Sequence, residues 1–150
     1  MKIRERSDIA RPALHVWPYI VTAEHFRVWN DKVIDLETQG EFRLGQTFHT
    51  GYRMSQHEIR CWSKVTALEP ERLLELHHGN CTGQGLKRDI EVVERVTLEE
   101  KDGRTIVTKE VVIRNSGVPW FFVPLIWFVT RFGKPVGKDK LKALCEGNAD

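Results

Sequence analysis

The chain has no cysteine pair at CxxC spacing, no glycine-rich loop ending in Gly-Lys-Ser/Thr and no GxSxG. These absences exclude a zinc-ribbon or dithiol motif, a P-loop nucleotide site and a hydrolase nucleophile elbow. Charge of one sign is missing as well. The 23 Lys and Arg against 21 Asp and Glu leave a net charge of +2, without the basic excess that marks a nucleic-acid partner. The longest apolar run, 118–129, is too short for a membrane span, which needs about 20 residues. The opening MKIRERSDI lacks the apolar core of a signal peptide. Three cysteines, Cys61, Cys81 and Cys145, are odd in number and far apart, and read as reduced thiols of a cytoplasmic protein. Asn80-Cys81-Thr82 has the form of a glycosylation acceptor, but nothing else points to secretion.

What is present is ordinary for a globular protein: 41% hydrophobic and 29% charged residues over 150 positions, read as one domain, 1–150. Lys2–Ile9 alternates loosely and predicts a first strand. Pro12 sits where a helix can begin without losing a hydrogen bond, and Ala13–Ile20 predicts a short helix that Pro18 keeps brief or bent. Thr22 is a candidate cap for a second short helix carrying Glu24, Phe26 and Trp29. From Lys32 onward the apolar period changes to two, with Ile34 and Leu36 on one face. Thr47–Met54, His57–Leu68, a run with Leu74, Leu76 and His78, then Leu86–Glu99 and Thr105–Arg114 follow as antiparallel strands. Gly79–Gly85 reads as a mobile loop, and Asp102-Gly103 as a tight hairpin turn.

The last thirty residues are of another kind. Gly117–Glu146 begins aromatic and ends basic, and predicts a long helix with a kink near Gly133–Pro135. At 1.5 Å per residue, roughly 24 helical residues span about 36 Å, enough to cross a sheet and cover its apolar face.

With Ile9-Ala10-Arg11-Pro12 followed by Val16-Trp17-Pro18, then Trp29 and Gly45-Gln46-Thr47-Phe48, the chain resembles the START-like, or SRPBCC, superfamily. Val65 with Leu68-Glu69-Pro70, Gly103-Arg104-Thr105 and Leu141-Lys142-Ala143-Leu144 with Glu146 extend the likeness over nearly the whole chain. The branch it resembles is that of the polyketide cyclases/dehydrases and lipid transport proteins. The resemblance implies an α+β helix-grip fold: a curved seven-stranded antiparallel sheet around a long C-terminal helix, with two short helices between strands 1 and 2. It also implies a hydrophobic cavity between sheet and helix.

On that reading the cavity is lined by Phe48, Thr50, Tyr52, Met54, Ile59, Cys61, Ser63, Leu74, Leu76, His78, Ile90, Val92, Phe122, Leu125, Ile126 and Val129. Its occupant would be a small hydrophobic ligand such as a lipid, isoprenoid or polyketide-like aromatic. Arg88 and Glu94 keep step with Ile90, Val92 and Val96, so either they point inward and are paired, or a bulge delivers them to water. With His78 and Tyr52 they are the candidates for catalysis if the protein is a cyclase or dehydratase. The shortage of a catalytic constellation favours binding over an enzyme. His77 and His78 are neighbours on a strand, point to opposite faces and cannot chelate together, and no other metal set or cofactor motif is visible. Trp120, Val123 and Trp127 fall on the outer side of the long helix, a candidate surface for a homodimer or a membrane. The basic residues after Arg131 are better explained as complements to a helix C-terminus than as a lipid-binding patch.

Overall fold

The computed structural model describes residues 2–54, 57–82, 90–114 and 139–147, leaving aside the side chains of Met54 and His57. The elements are β1 (Lys2–Ile9), α1 (Ala13–Val21), α2 (Ala23–Trp29), β2 (Val33–Leu36), β3 (Thr47–Met54), β4 (His57–Glu69), β5 (Leu73–Thr82), β6 (Glu91–Lys101), β7 (Arg104–Arg114) and α3 (Lys140–Glu146). The strands form one antiparallel sheet in the order β1-β7-β6-β5-β4-β3-β2, which is a meander from β2 to β7 closed by β1. The sheet curls into a half-barrel.

Local chemistry explains most of the boundaries. Asp102 and Gly103, at φ 55° and 76°, make the two-residue turn that lets Lys101 pair with Arg104. Both residues sit in the left-handed region, which an Asp-Gly pair tolerates better than most. α1 starts at Ala13, whose N–H donates to Glu100 Oε1 at 2.6 Å, so a carboxylate from β6 anchors the helix to the sheet. Thr22 stands at the start of α2, but its side chain makes no capping hydrogen bond, contrary to the expectation from sequence. Glu24 instead accepts from Gly40 N–H at 3.0 Å and ties α2 to the following loop. At the other end, Asp139 caps α3 by accepting from Lys142 N–H, and Gly147 ends it at φ 79°.

One face of the sheet is buried and holds the core. Along β5, Leu74, Leu76 and His78 are buried while their neighbours are half-exposed, and β6 repeats this with Val92, Glu94, Val96 and Leu98. Phe26 from α2 packs edge-on against Phe42, which stacks on Phe48 of β3, with ring centroids 5.6 Å apart at both contacts. These rings join the helical layer to the sheet through apolar area, the dominant favourable term in folding.

Two expectations need correcting. Gly79–Thr82 is not loop but the end of β5. Within it Asn80 adopts φ 49° and the pairing slips by one residue between Arg60 and Trp62, a bulge. The slip reverses the inside-outside phase, so Cys81 turns to the buried face, where strict alternation would have faced it outward with His77. There it meets Cys61 of β4, and the two form a disulfide rather than the expected pair of reduced thiols. Cys145 alone is free, buried in α3. The cysteines therefore no longer speak for a cytoplasmic location. Among the described residues, no helix is long and apolar enough to cross a membrane. The aromatic half of the expected long helix and its kink at Gly133–Pro135 lie outside the described residues.

Candidate functional site

The buried face is mostly apolar. Among the described residues the buried polar or charged ones are Asn30, Thr50, Ser63, His78, Glu94 and Thr105, the last of which bonds to Arg11 C=O apart from the others. Five of the strands and the end of α2 bring five of these, with Tyr52 and Lys109, into one hydrogen-bonded chain.

It begins on β3, where Thr50 Oγ1 lies 2.7 Å from Ser63 Oγ of β4. Ser63 is 2.6 Å from Nδ1 of His78, its direct cross-strand partner on β5. The other imidazole nitrogen, Nε2, has two neighbours: Tyr52 Oη at 2.6 Å and Glu94 Oε1 at 2.9 Å. Tyr52 reaches His78 edge-on from β3, with ring centroids 4.9 Å apart. Glu94 Oε2 accepts from Asn30 Nδ2 at 3.1 Å. Asn30 Oδ1 in turn accepts from Lys109 Nζ at 2.8 Å, and that ammonium stands 4.0 Å from Glu94 and 5.8 Å from the centre of the Trp29 ring.

Strand alternation explains why these side chains converge. Thr50, Tyr52, Ser63, His78 and Glu94 each keep phase with apolar neighbours, so the pleat turns all of them inward. Asn30 arrives differently, as the residue that ends α2. Its N–H bonds back to Phe26 C=O, which leaves the side chain to reach over the sheet.

Burial dominates the electrostatics. His78 is wholly enclosed, and loss of hydration pushes its pKa from 6.5 down to about 3, helped by the nearby His77 and Lys109. The imidazole is therefore neutral at physiological pH. Burial raises the pKa of Glu94, opposed by the Lys109 charge and the Asn30 hydrogen bond. The same loss of water lowers Lys109, while Glu94 and Asp31 act to keep it charged. The arrangement is a neutral histidine between a phenol and a carboxyl, with one ammonium balancing the carboxyl from the far side. Such a group can donate, accept or pass a proton along the line.

Of the candidates named from sequence, Tyr52, His78 and Glu94 come together here. The pairing alternative for Glu94 is the one realised: it is buried and partnered, not delivered to water. Thr50 and Ser63 join the same chain, while Phe48, Ile59, Cys61, Leu74, Leu76, Ile90 and Val92 are buried apolar or disulfide residues. Arg88, Phe122, Leu125, Ile126 and Val129 lie outside the described residues, as do the side chain of Met54 and the outer set Trp120, Val123 and Trp127. Sequence reasoning missed Asn30 and Lys109. For Lys109 a signal existed, because it alternates with Val107 and Val111 on the apolar side of the last strand. Asn30 carried no such signal, since an Asn after a helix reads as a terminator.

Comparison with solved structures places this geometry in a known fold. Protein MLL2253 from Mesorhizobium loti superposes with a TM-score of 0.68 at 16% identity, covering 100% of this chain and 99% of that one. Ara h 8.0201 gives 0.60 at 15% identity, over 99% and 97% of the two chains. The major latex-like protein 151 from Panax ginseng gives 0.56 at 17% identity, over 87% and 93%. At these identities the likeness is one of fold, and the fold is the α+β helix-grip arrangement. No curated protein matches the sequence. The family model described as activator of Hsp90 ATPase homolog 1-like protein matches residues 10–119, most of the sheet and both early helices. The chain thus belongs to that family, within the START-like superfamily.

Proposed function

We propose that this protein binds a small, mainly apolar molecule against the buried face of the sheet and orients it through the polar line centred on His78. The observation that carries this reading is the composition of that face. A continuous hydrogen-bonded chain from Thr50 to Lys109 crosses a surface otherwise built of Phe, Ile, Leu and Val. Folding gains nothing obvious from such a chain, because a well-packed apolar replacement of a buried charge pair is often as stable or more so. An apolar surface with a few convergent polar groups is the usual composition of a small-molecule site. The ligand classes in view are lipids, isoprenoids and polyketide-like aromatics.

The test is to extract purified protein with organic solvent, identify co-purified molecules by mass spectrometry, and titrate a panel of fatty acids, isoprenoids and polycyclic phenols. A bound molecule or micromolar affinity for one class is expected. Extracts without any ligand, and no binding at millimolar concentration across the panel, would sink the reading.

A second reading, an enzyme of the cyclase or dehydratase type, draws on one further observation. His78 Nε2 touches both a phenol and a carboxyl, so a candidate acid and a candidate base each stand within proton-transfer distance of the same imidazole nitrogen. On this reading Tyr52 and Glu94 exchange the proton and His78 relays it. Turnover of an identified ligand that drops at least a hundredfold in Tyr52→Phe at saturating ligand would establish it. Unchanged ligand after prolonged incubation would leave binding as the function.

A further inference from the structure

The hydrogen-bonded line around His78 carries more hydrogens than it has places for. An imidazole nitrogen offers either one hydrogen or one lone pair in the ring plane. Yet His78 Nε2 has two neighbours at bonding distance, Tyr52 Oη at 2.6 Å and Glu94 Oε1 at 2.9 Å. The proton on Nε2 and the proton on Glu94 together define the arrangements open to this corner.

With Glu94 ionised, its oxygen can only accept, so Nε2 carries the hydrogen and donates to it. Nδ1 then accepts from Ser63, and Ser63 from Thr50. Every hydrogen in the line is placed except that of the Tyr52 hydroxyl. With Glu94 protonated and Nε2 bare, the Tyr52 and Glu94 hydroxyls compete for one lone pair, and one of them is turned away. With Glu94 protonated and the hydrogen on Nε2, that hydrogen goes to an oxygen and at least one hydroxyl hydrogen is again left over. The remaining combination sets a bare nitrogen against a carboxylate, and the two repel.

Each permitted arrangement thus leaves a surplus O–H at this corner. Among the described residues Tyr52 Oη has no partner besides His78. At this corner Tyr52 is the residue that keeps some exposure, 7% against 0% for His78 and 2% for Glu94. A buried donor without an acceptor is unfavourable, and native structures rarely keep one without a reason.

We infer that Tyr52 is the donor that takes an acceptor oxygen of the bound molecule, so the site selects apolar molecules bearing a carbonyl over hydrocarbons of the same shape. This rests on the binding function proposed above and adds the chemistry of the ligand's polar atom. His78 and Glu94 act as positioning residues. The Nε2–H···Glu94 bond prevents His78 from claiming the phenol hydrogen, and Asn30 with Lys109 holds the carboxylate in place for that bond.

The experiment compares 2-acetylnaphthalene with 2-isopropenylnaphthalene, which has the same shape with a CH2 group in place of the oxygen. Affinities are measured by fluorescence titration of the folded full chain, and the carbonyl stretch of the bound ketone by infrared spectroscopy. The ketone should bind roughly tenfold tighter, the factor that one net hydrogen bond supplies. Its stretch should fall below its value in alkane solvent. Tyr52→Phe should abolish both differences and leave the affinity for the hydrocarbon unchanged. If the hydrocarbon binds as well as the ketone, or the stretch stays at its alkane value, the Tyr52 assignment is wrong while the binding function stands. The assignment is equally wrong if the ketone's advantage survives in Tyr52→Phe. If neither compound binds at millimolar concentration, the Tyr52 assignment is wrong, and the binding function is decided separately by the extraction and the ligand panel. Should Tyr52→Phe not fold, the stretch in the unmodified protein still decides.

Discussion

Each face of the sheet carries a histidine against a glutamate at nearly the same distance, and the two pairs have little else in common. On the outer face His49 Nδ1 lies 3.0 Å from Glu37, with the side chains 40% and 54% exposed. On the inner face His78 Nε2 lies 2.9 Å from Glu94, at 0% and 2%. The outer pair belongs to a lattice in which Arg60 also binds Asp35 and Glu37, and Trp62 packs on the His49 ring at 3.9 Å. All its members keep water as an alternative partner, so each bond replaces another of similar worth. The inner pair has no such alternative, and the loss of one partner exposes the cost of burying the other. Distance alone does not say what a pair contributes; access to water does.

The comparison can be broken most forcefully at Glu94. Glu94→Leu leaves Lys109 without its counter-charge and His78 without an acceptor, and should destabilise the protein by about 3–5 kcal/mol in urea denaturation. Adding Lys109→Met should recover most of that loss, since a matched apolar pair needs no partner. If the double variant is no more stable than the single one, the inner line is not governed by desolvation.

Next in size is the Cys61–Cys81 bond, also on the inner face, which closes a loop with a sequence separation of 20. Loop-closure entropy puts its loss at about 3 kcal/mol. Cys61→Ser with Cys81→Ser should therefore shift the midpoint by less than Glu94→Leu, and intact mass without reductant should show two hydrogens fewer than with it. Free thiols at both positions would remove the prediction.

A smaller effect appears as a slope. The His78 pKa lies near 3 when folded and 6.5 when not, so between those values the unfolded chain binds the extra proton. Stability contributed by neutral His78 is complete above pH 6.5 and lost as pH falls toward 3. Glu94, raised by burial, works in the opposite sense above its ordinary 4.5, so the net slope should be steepest below pH 4.5. Histidine NMR should find one imidazole still neutral at pH 4, and His78→Gln should flatten the acid limb. An imidazole titration near 6.5 from every histidine would contradict the assignment. The least effect is expected outside: Arg60→Ala removes two ion pairs and should leave the denaturation midpoint within error. A clear loss there would mean that the outer lattice is more than solvated charge.

Much of this architecture is legible in the sequence because it depends on period and on turn chemistry. β1, β3 and the Asp102-Gly103 hairpin follow from local pattern alone, and the inward phase of Tyr52, Ser63, His78 and Glu94 follows from alternation. The pattern fails where something interrupts the count. The bulge at Asn80 turns Cys81 inward, and no local signal announces that an exposed asparagine will adopt a left-handed conformation. Lys109 is obscured by its charge: an apolar strand face is read from its apolar members, so a lysine in step with them is passed over. Its partner Asn30 is 79 residues away in sequence, and only the tertiary fold reveals that the end of α2 stands above β7. The site is thus partly readable as a list of inward polar residues and unreadable as a connected line.

The position of β1 has a consequence in time. The six strands from β2 to β7 pair each with the next in order of synthesis, whereas β1 pairs with β7 alone, Lys2 opposite Val112 and Ile9 opposite Thr105. Closing a loop of about 100 residues costs about 3 kcal/mol more in chain entropy than closing a two-residue turn. The meander can therefore grow hairpin by hairpin as the polypeptide emerges, while the first strand made waits for the last before it has a neighbour. Until then the free edge of β7 is unguarded, and the strand that will protect it is the one made earliest among the seven described.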